Sequence, residues 1–385
     1  MNFLFKTLDF FRNLLCLKKL TIFGQIYWQI LRAYVRVSSK KLTIKILKRL
    51  ILARKWSFKR SLLITLFISS PIYAVDLGKI QKTESKNFYF RCNVDYVALF
   101  QSHTSQTANA VVSLTNGISS TAQSTMMTVE DMQSLFTSGV QGTIAAGNSP
   151  YTTIELHFLV GGNWRKITGP HSEASLLVTN LENVNNLYDW QQAANVESNY
   201  HEILDYADLG LWFHSSDRGH DYFCLSWFIG PRFIHYKDKL KMTSQRSSDI
   251  SRFYTNCTNE MVGGLLGIEF EATPIKWFSW DLRMLGGTYC NFMKKRTLLY
   301  DYNDSLMAFK YNISHRRLAY TAEINPTITV RLRNYISFHA GYLGMYIVNV
   351  AQSPLQIGSE KPNYEIWYKS NFGFQSATIG LGLFF

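Results

Sequence analysis

Proline is scarce in this chain, with 8 in 385 residues, and cysteine scarcer still at 5. Few prolines leave long hydrogen-bonded strands free to run, since proline cannot donate to a sheet ladder. No CxxC pair and no His/Cys zinc spacing occurs, so structural zinc has no ligand set. No P-loop, GxSxG, HExxH or dinucleotide fingerprint is present, which removes the common phosphate-binding and hydrolytic signatures. Acid is nearly absent from the first 74 residues, which hold 15 Lys or Arg and only Asp9. The remainder is close to neutral, with 25 bases and 26 acids. The overall net charge of +13 therefore belongs to the leader, and no basic stripe marks the body as a nucleic-acid binder.

What is abundant is aromatic side chain, at 15%. The last fifteen residues, Asn371–Phe385, read NFGFQSATIGLGLFF. In a strand, side chains alternate faces with period two. Ile379, Leu381, Leu383 and Phe385 then share one face, and Thr378, Gly380 and Gly382 share the other. A face that is greasy outside and small or polar inside suits a membrane barrel, whose strands meet lipid on one side and a polar lumen on the other. Ending on Phe385 resembles the insertion signal by which outer-membrane barrels engage their assembly machinery. That makes the assembly machinery and outer-membrane lipid the expected partners.

Lys55–Ala74 has the layout of a secretory signal, with Lys55, Lys59 and Arg60 before the apolar run Leu62–Ile68 and Ala74 at the cleavage point. The run is too short to span a bilayer as a helix, which takes about 20 residues. Residues 1–54 form a basic extension ahead of it. Two readings stand: a membrane-surface helix, or a start site assigned too far upstream. The mature chain, 75–385, is expected to be one outer-membrane barrel.

Ten alternating segments recur, at roughly 88–100, 153–160, 172–180, 200–213, 222–235, 261–272, 277–290, 316–332, 335–347 and 371–385. They predict an all-β antiparallel barrel of ten strands, with twelve as the alternative. The connections alternate long and short. The long ones are Gln101–Thr152, Leu181–Asn199, Tyr236–Glu260, Asn291–His315 and Val348–Ser370, and such sorting matches long external loops and short periplasmic turns. Gln101–Pro150 is expected to be the largest external loop. A three-residue turn, Pro274–Lys276, would pair Glu269 with Asp281 and Gly267 with Arg283, leaving Arg283 diagonal to Glu269 in a lumenal charge cluster.

Twelve charged or imidazole side chains fall on the inward face: Arg91, Asp95, Glu155, His157, Glu269, Glu271, Asp281, Arg283, Glu323, Arg331, Arg333 and His339. Their mixed signs predict internal ion pairs. A lumen of ten strands is narrow, since eight are filled by side chains and wide channels need about sixteen. Cys257 and Cys290 both map to the external side, so a disulfide between them is a candidate. His214, Asp217, His220 and Asp221 cluster in HSSDRGHD, where a polar turn is the simplest reading. No catalytic residue, metal or cofactor is expected.

The stretches GPRFIHYKDKL, GGLLGIEFEATPIKWFSWDLRMLGGTYCNF, HAGYLGMYIVNVAQSP and the terminal strand resemble a family of planctomycete-type outer-membrane β-barrel proteins. Legionella-type and chlamydial major outer-membrane proteins look related. The resemblance covers roughly Tyr200–Phe385 and implies a bacterial (Gram-negative) outer-membrane barrel, often described as porin-like, with no catalytic residues. The expected function is a small-solute channel or a structural surface protein. An adhesin or receptor acting through loop 101–150, or a secreted soluble β-protein, are the alternatives.

Overall fold

The computed structural model describes residues 89–384 apart from 104–111, 116–122, 128–135, 150, 177–189, 191–192, 217–221, 247, 302, 334, 357–365 and 367. The basic extension, the signal segment and Phe385 lie outside the described residues.

Ten antiparallel strands close into a barrel in the order β1-β12-β11-β10-β9-β8-β7-β6-β5-β4. They are β1 (Tyr89–His103), β4 (Phe136–Ser149), β5 (Thr152–Leu176), β6 (Ala193–His214), β7 (Phe223–Arg246), β8 (Asp249–Ile275), β9 (Phe278–Asp301), β10 (Leu306–Arg333), β11 (Ile336–Val350) and β12 (Ser370–Phe384). A separate hairpin, β2 (Val112–Thr115) with β3 (Gln123–Met127), sits within the β1–β4 connection. Closure by β1 against β12 removes the free edges that an open sheet would expose. No described helix is long and apolar enough to cross a membrane, a criterion that does not bear on strands.

The strand count matches expectation, but two errors cancel to give it. Residues 172–180 are not a separate strand; β5 continues to Leu176 with bulges on the way. The missed strand is β4, inside the region read as the largest loop. Its sequence, FTSGVQGTIAAGNS, alternates Val140 and Ile144 with Gln141, Thr143 and Ala145, and small residues dilute the signal.

Most of the expected long loops are also strand. β7 and β8 run on until Arg246 pairs with Asp249. β9 and β10 run on until Asp301 pairs with Leu306. These strands reach 24 to 28 residues, against the 9–11 that cross a bilayer. One end of the barrel thus carries the short β4–β5, β6–β7, β8–β9 and β10–β11 turns and both strand termini of the chain. The other, the loop end, carries tall strand extensions.

The β8–β9 register is two residues from the expected one. Lys276 and Trp277 form the turn, and a shift between Ala272 and Ile275 re-phases the ladder. Glu269 consequently stands directly opposite Arg283, and Glu271 opposite Asp281. The charge cluster is present, with its partners in direct rather than diagonal contact.

Candidate functional site: a filled and capped lumen

The inward face carries the chemistry. All of the expected lumenal residues except Arg333 occupy it; Arg333 follows a bulge and is exposed at the rim. Asp95, Glu155, His157, Glu269, Glu271, Asp281, Arg283, Glu323 and His339 are buried, while Arg91 and Arg331 are half-buried near the turn end.

Two arginines tie the walls together. Arg283 on β9 donates from Nε to Glu269 Oε2 at 3.0 Å. It donates from Nη1 to Glu155 Oε1 on β5 at 2.8 Å, crossing the lumen. Its guanidinium also lies 4.7 Å from the ring centre of Trp212. Arg232 on β7 donates to Asp208 Oδ2 on β6 from Nε and Nη2, at 3.0 and 2.7 Å. It reaches across to Glu323 Oε2 on β10 at 2.6 Å. His157 Nδ1 lies 3.3 Å from the same Asp208 oxygen. Each arginine serves two carboxylates, which the fork geometry of guanidinium allows and a lysine could not reproduce. Buried charge persists only when paired this way.

The third tie depends on the last strand. Gly380 stands between Asp95 on β1 and His339 on β11 in one cross-strand row. A Cβ on Gly380 would sit 2.0 Å from Asp95 Oδ1, so only glycine lets the two side chains meet. They do, through His339 Nε2 and Asp95 Oδ1. Gly382 leaves the same clearance, since a Cβ there would sit 2.5 Å from Asn93 Oδ1 and 2.6 Å from Ser337 Oγ. The inward glycines of the terminal strand are therefore clearance for its neighbours' side chains. Ile379 and Leu381 point outward and are 49% and 61% exposed.

Nearer the loop end the interior changes character. Val97, Leu99, Leu159, Trp164, Leu204, Tyr206, Tyr236, Met345, Phe372 and Phe374 belong to one buried apolar cluster. Above it lies an acid pair that sequence reasoning missed. Glu202 and Asp238 face each other across β6 and β7, fully buried. Glu202 Oε1 accepts from Tyr236 Oη at 2.6 Å, Tyr200 Oη at 2.7 Å and Gln101 Nε2 at 3.1 Å. Glu202 Oε2 has no hydrogen-bond partner among the described residues. Burial pushes Asp238 up to about 8, with backbone donation from Ser353 pulling down and the Glu202 charge adding to the rise. Burial also raises Glu202. Two carboxyls opposite each other in a dry site cannot both ionise cheaply, so the pair holds a proton at neutral pH.

The segment after β11 caps this pair. Ala351–Ser353 and Pro354 are buried, the latter opening a single 3-10 turn, Pro354–Gln356. Ser353 donates from its backbone nitrogen to Asp238 Oδ2 and from Oγ to Asp238 Oδ1 at 3.1 Å. Asn259 exchanges bonds with Ala351 in both directions at 2.8 Å. Asn349, at φ 64, is the bulge residue between Val348 and Val350, just before the chain leaves the ladder. The described start of the connection, Ala351–Pro354, thus packs into the mouth of the barrel.

Other expectations fare differently. Cys257 and Cys290 are not bonded. Cys257 is inward and buried, Cys290 outward and exposed, and their ladder partners are Lys295 and Val262. Opposite faces of a sheet cannot be bridged by a disulfide, whose Cβ atoms must approach within about 4.5 Å. His214 is buried between Thr153 Oγ1 at 3.0 Å and Ser226 Oγ at 2.7 Å, while Asp217, His220 and Asp221 lie outside the described residues. Among the described residues no group of three or more His, Cys, Asp or Glu is arranged to hold a metal ion.

No family model and no curated protein matches the chain. Solved structures similar to it include the outer membrane protease OmpT from Escherichia coli, at 10% identity and TM-score 0.39, covering 78% of this chain and 97% of that one. The translocator domain of the autotransporter NalP from Neisseria meningitidis matches at 10% identity and TM-score 0.33, over 82% and 97%. A major outer membrane protein from Thermus thermophilus matches at 9% and 0.31, over 77% and 99%. At such identities no residue role passes from these proteins to this chain.

Proposed function

We propose that this chain is an outer-membrane barrel that works as a closed surface scaffold, with no open diffusion path through it. The turn end would then face the periplasm and the tall loop end the exterior. Support for the membrane comes from a contiguous apolar outer band. Trp227, Ile229, Leu266, Leu318, Ile324 and Leu381 stand between 44% and 62% exposed in it. Apolar patches beyond a few hundred Å² are uncommon on soluble monomers and mark contact with lipid or protein, which weighs against the secreted soluble alternative.

The observation that carries the scaffold reading is the filled lumen. Arg232 and Arg283 span it, aromatic side chains fill it above them, and Ala351–Ser353 cap it. Of the two roles expected of such a barrel, this favours the structural one over a porin-like channel. The test is in two steps. Outer membranes from cells expressing the signal-bearing chain should give a band whose gel mobility shifts on boiling. The purified barrel in planar bilayers should then show no stable conductance at neutral pH. A steady open channel would overturn the scaffold reading in favour of the porin.

A further inference from the structure

Contrary to the expectation that the near-neutral body carries no basic stripe, the outer face of the strand extensions is basic in an ordered way, because its bases come from different strands and only the register brings them together. One cross-strand row runs Arg165, His201, Lys239, Asn256, Arg296, Asn312 from β5 to β10. The row below it, nearer the apolar band, runs Asn163, Ile203, Lys237, Thr258, Lys294, Ser314. The row above adds Lys241 and Lys310. These three rows hold seven bases and no acid. Side chains of one face repeat about every 7 Å along a strand, on strands about 4.8 Å apart, so the bases form one patch.

Its height is also defined. The last wholly apolar or small row is Ala207, Phe233, Val262, Cys290, Leu318. The first basic row lies four residues further along, about 13 Å of strand and roughly 10 Å of height at the usual barrel tilt. Between them is a mixed row where Asp205 and Glu260 appear. Asp205 Oδ1 accepts from the Gly161 nitrogen at 3.1 Å. Glu260 lies 3.8 Å from Lys294, whose side chain stays 62% exposed. Lys241 sits 5.9 Å from the Tyr254 ring centre, and Arg165 Nε donates to Asn199 Oδ1 at 3.4 Å. The field of the patch registers on His201: burial first, then Lys239, Arg165 and Lys237, hold its imidazole below the ordinary range.

We infer that this patch on β5–β10 binds the phosphorylated headgroups of outer-leaflet lipid, of the bisphosphorylated disaccharide (lipid A) kind. The inference rests on the outer-membrane reading above. Charge complementarity and height carry it. A single-sign cluster costs self-repulsion, and phosphates about 10 Å above the hydrocarbon would relieve it. Juxtamembrane bases attract anionic lipid surfaces one by one, and the ordered grid offers several contacts to one headgroup.

The test uses the full chain folded into phosphatidylcholine vesicles, with or without bisphosphorylated lipid A, and with dephosphorylated lipid A as a third arm. The readout is the temperature at which the fast-migrating folded band is lost. The expected result is a rise of several degrees with the bisphosphorylated lipid and little or none with the dephosphorylated one. Replacing Lys237, Lys239, Lys241, Lys294 and Arg296 by Gln should abolish the rise and weaken lipid A binding by at least about tenfold. Should that variant fold poorly in phosphatidylcholine alone, Lys239→Gln with Arg296→Gln gives the milder version, with a partial loss expected. No rise in the wild-type chain, an equal rise with dephosphorylated lipid, or a full rise in the variants would overturn the proposal while leaving the membrane barrel intact. Failure to form a heat-modifiable band in any vesicle would overturn the membrane reading itself, and this proposal with it.

Discussion

The two halves of the long strands obey opposite rules. In the turn-end half of β7, Phe223, Leu225, Trp227 and Ile229 face out, while Ser226 and Arg232 face in. In the loop-end half of the same strand, Lys237, Lys239 and Lys241 face out, while Tyr236, Leu240 and Met242 are buried within. β8 repeats this: Leu266, Ile268 and Phe270 point out near the turn end, and Phe253, Cys257 and Met261 are buried inside near the loop end. The backbone alternates without interruption, yet the hydrophobic phase slips by one residue midway. One half sets apolar side chains outside and charge within, and the other sets charge outside around an apolar core. On the membrane reading proposed above, what changes between them is the solvent that each outer face meets.

The sharpest way to break the lower half is from the inside. Arg283→Leu leaves Glu155 and Glu269 without their guanidinium. Stranding buried carboxylates in this way costs about 3–5 kcal/mol. The folded fraction in a urea titration at neutral pH should collapse. A loss under about 1 kcal/mol would mean water reaches the cluster, which would reopen the channel reading.

Breaking the same half from the outside comes next. Ile229→Lys puts a charge in the middle of the apolar band, where a lipid-facing Lys costs about 2–4 kcal/mol. The urea midpoint in vesicles should fall, and in a zwitterionic detergent micelle it should fall less. Equal and negligible effects in both would argue that this band does not meet lipid.

The upper half yields to pH. Asp238 titrates near 8 in the folded barrel against 3.8 for an ordinary aspartate. The folded state therefore holds a proton that the unfolded chain has lost over that window. Stability from this group is complete below about 4 and declines as pH rises through about 8, by at most about 1.4 kcal/mol per pH unit. Asp238→Asn should flatten the decline, leaving the smaller slope due to Glu202. An unchanged slope would place the titrating group elsewhere.

The phase slip also explains what could be read from sequence. The segments with an apolar outer face were legible because Leu, Ile, Trp and Phe alternate with Ser, Gly, Asp and Glu, a pattern seldom produced otherwise. Eleven inward positions followed from parity alone. The strand extensions read as loops for the same reason in reverse. A stretch such as Lys237-Asp238-Lys239-Leu240-Lys241-Met242 buries an aspartate and points three lysines outward. Its periodicity is sound, but its apolar face is interrupted at Asp238 and hidden in charge. Arg232 went unassigned because it sits where the phase changes, and Asp208, which alternation puts opposite Ala207 and Leu209, therefore had no visible partner. The β8–β9 register was missed by two because a bulge beside Pro274 keeps parity, and parity is all that alternation fixes. β4 was missed because Gly139, Gly142, Ala145 and Ala146 give it little hydrophobic contrast.

The smallest expected effect is the most discriminating. Lys239 lies on the same strand and the same outer face as Ile229, above the apolar band and exposed. Lys239→Ile reverses the chemistry of Ile229→Lys at a position with water or headgroups around it. In lipid A-free vesicles the urea midpoint should move by no more than about 0.5 kcal/mol, as for an exposed surface site. The contrast between these two substitutions locates the boundary. A clear stabilisation by Lys239→Ile would mean that hydrocarbon reaches about six residues beyond the last apolar row, at Phe233. The basic rows would then be buried in the membrane, and they could not serve as a headgroup site.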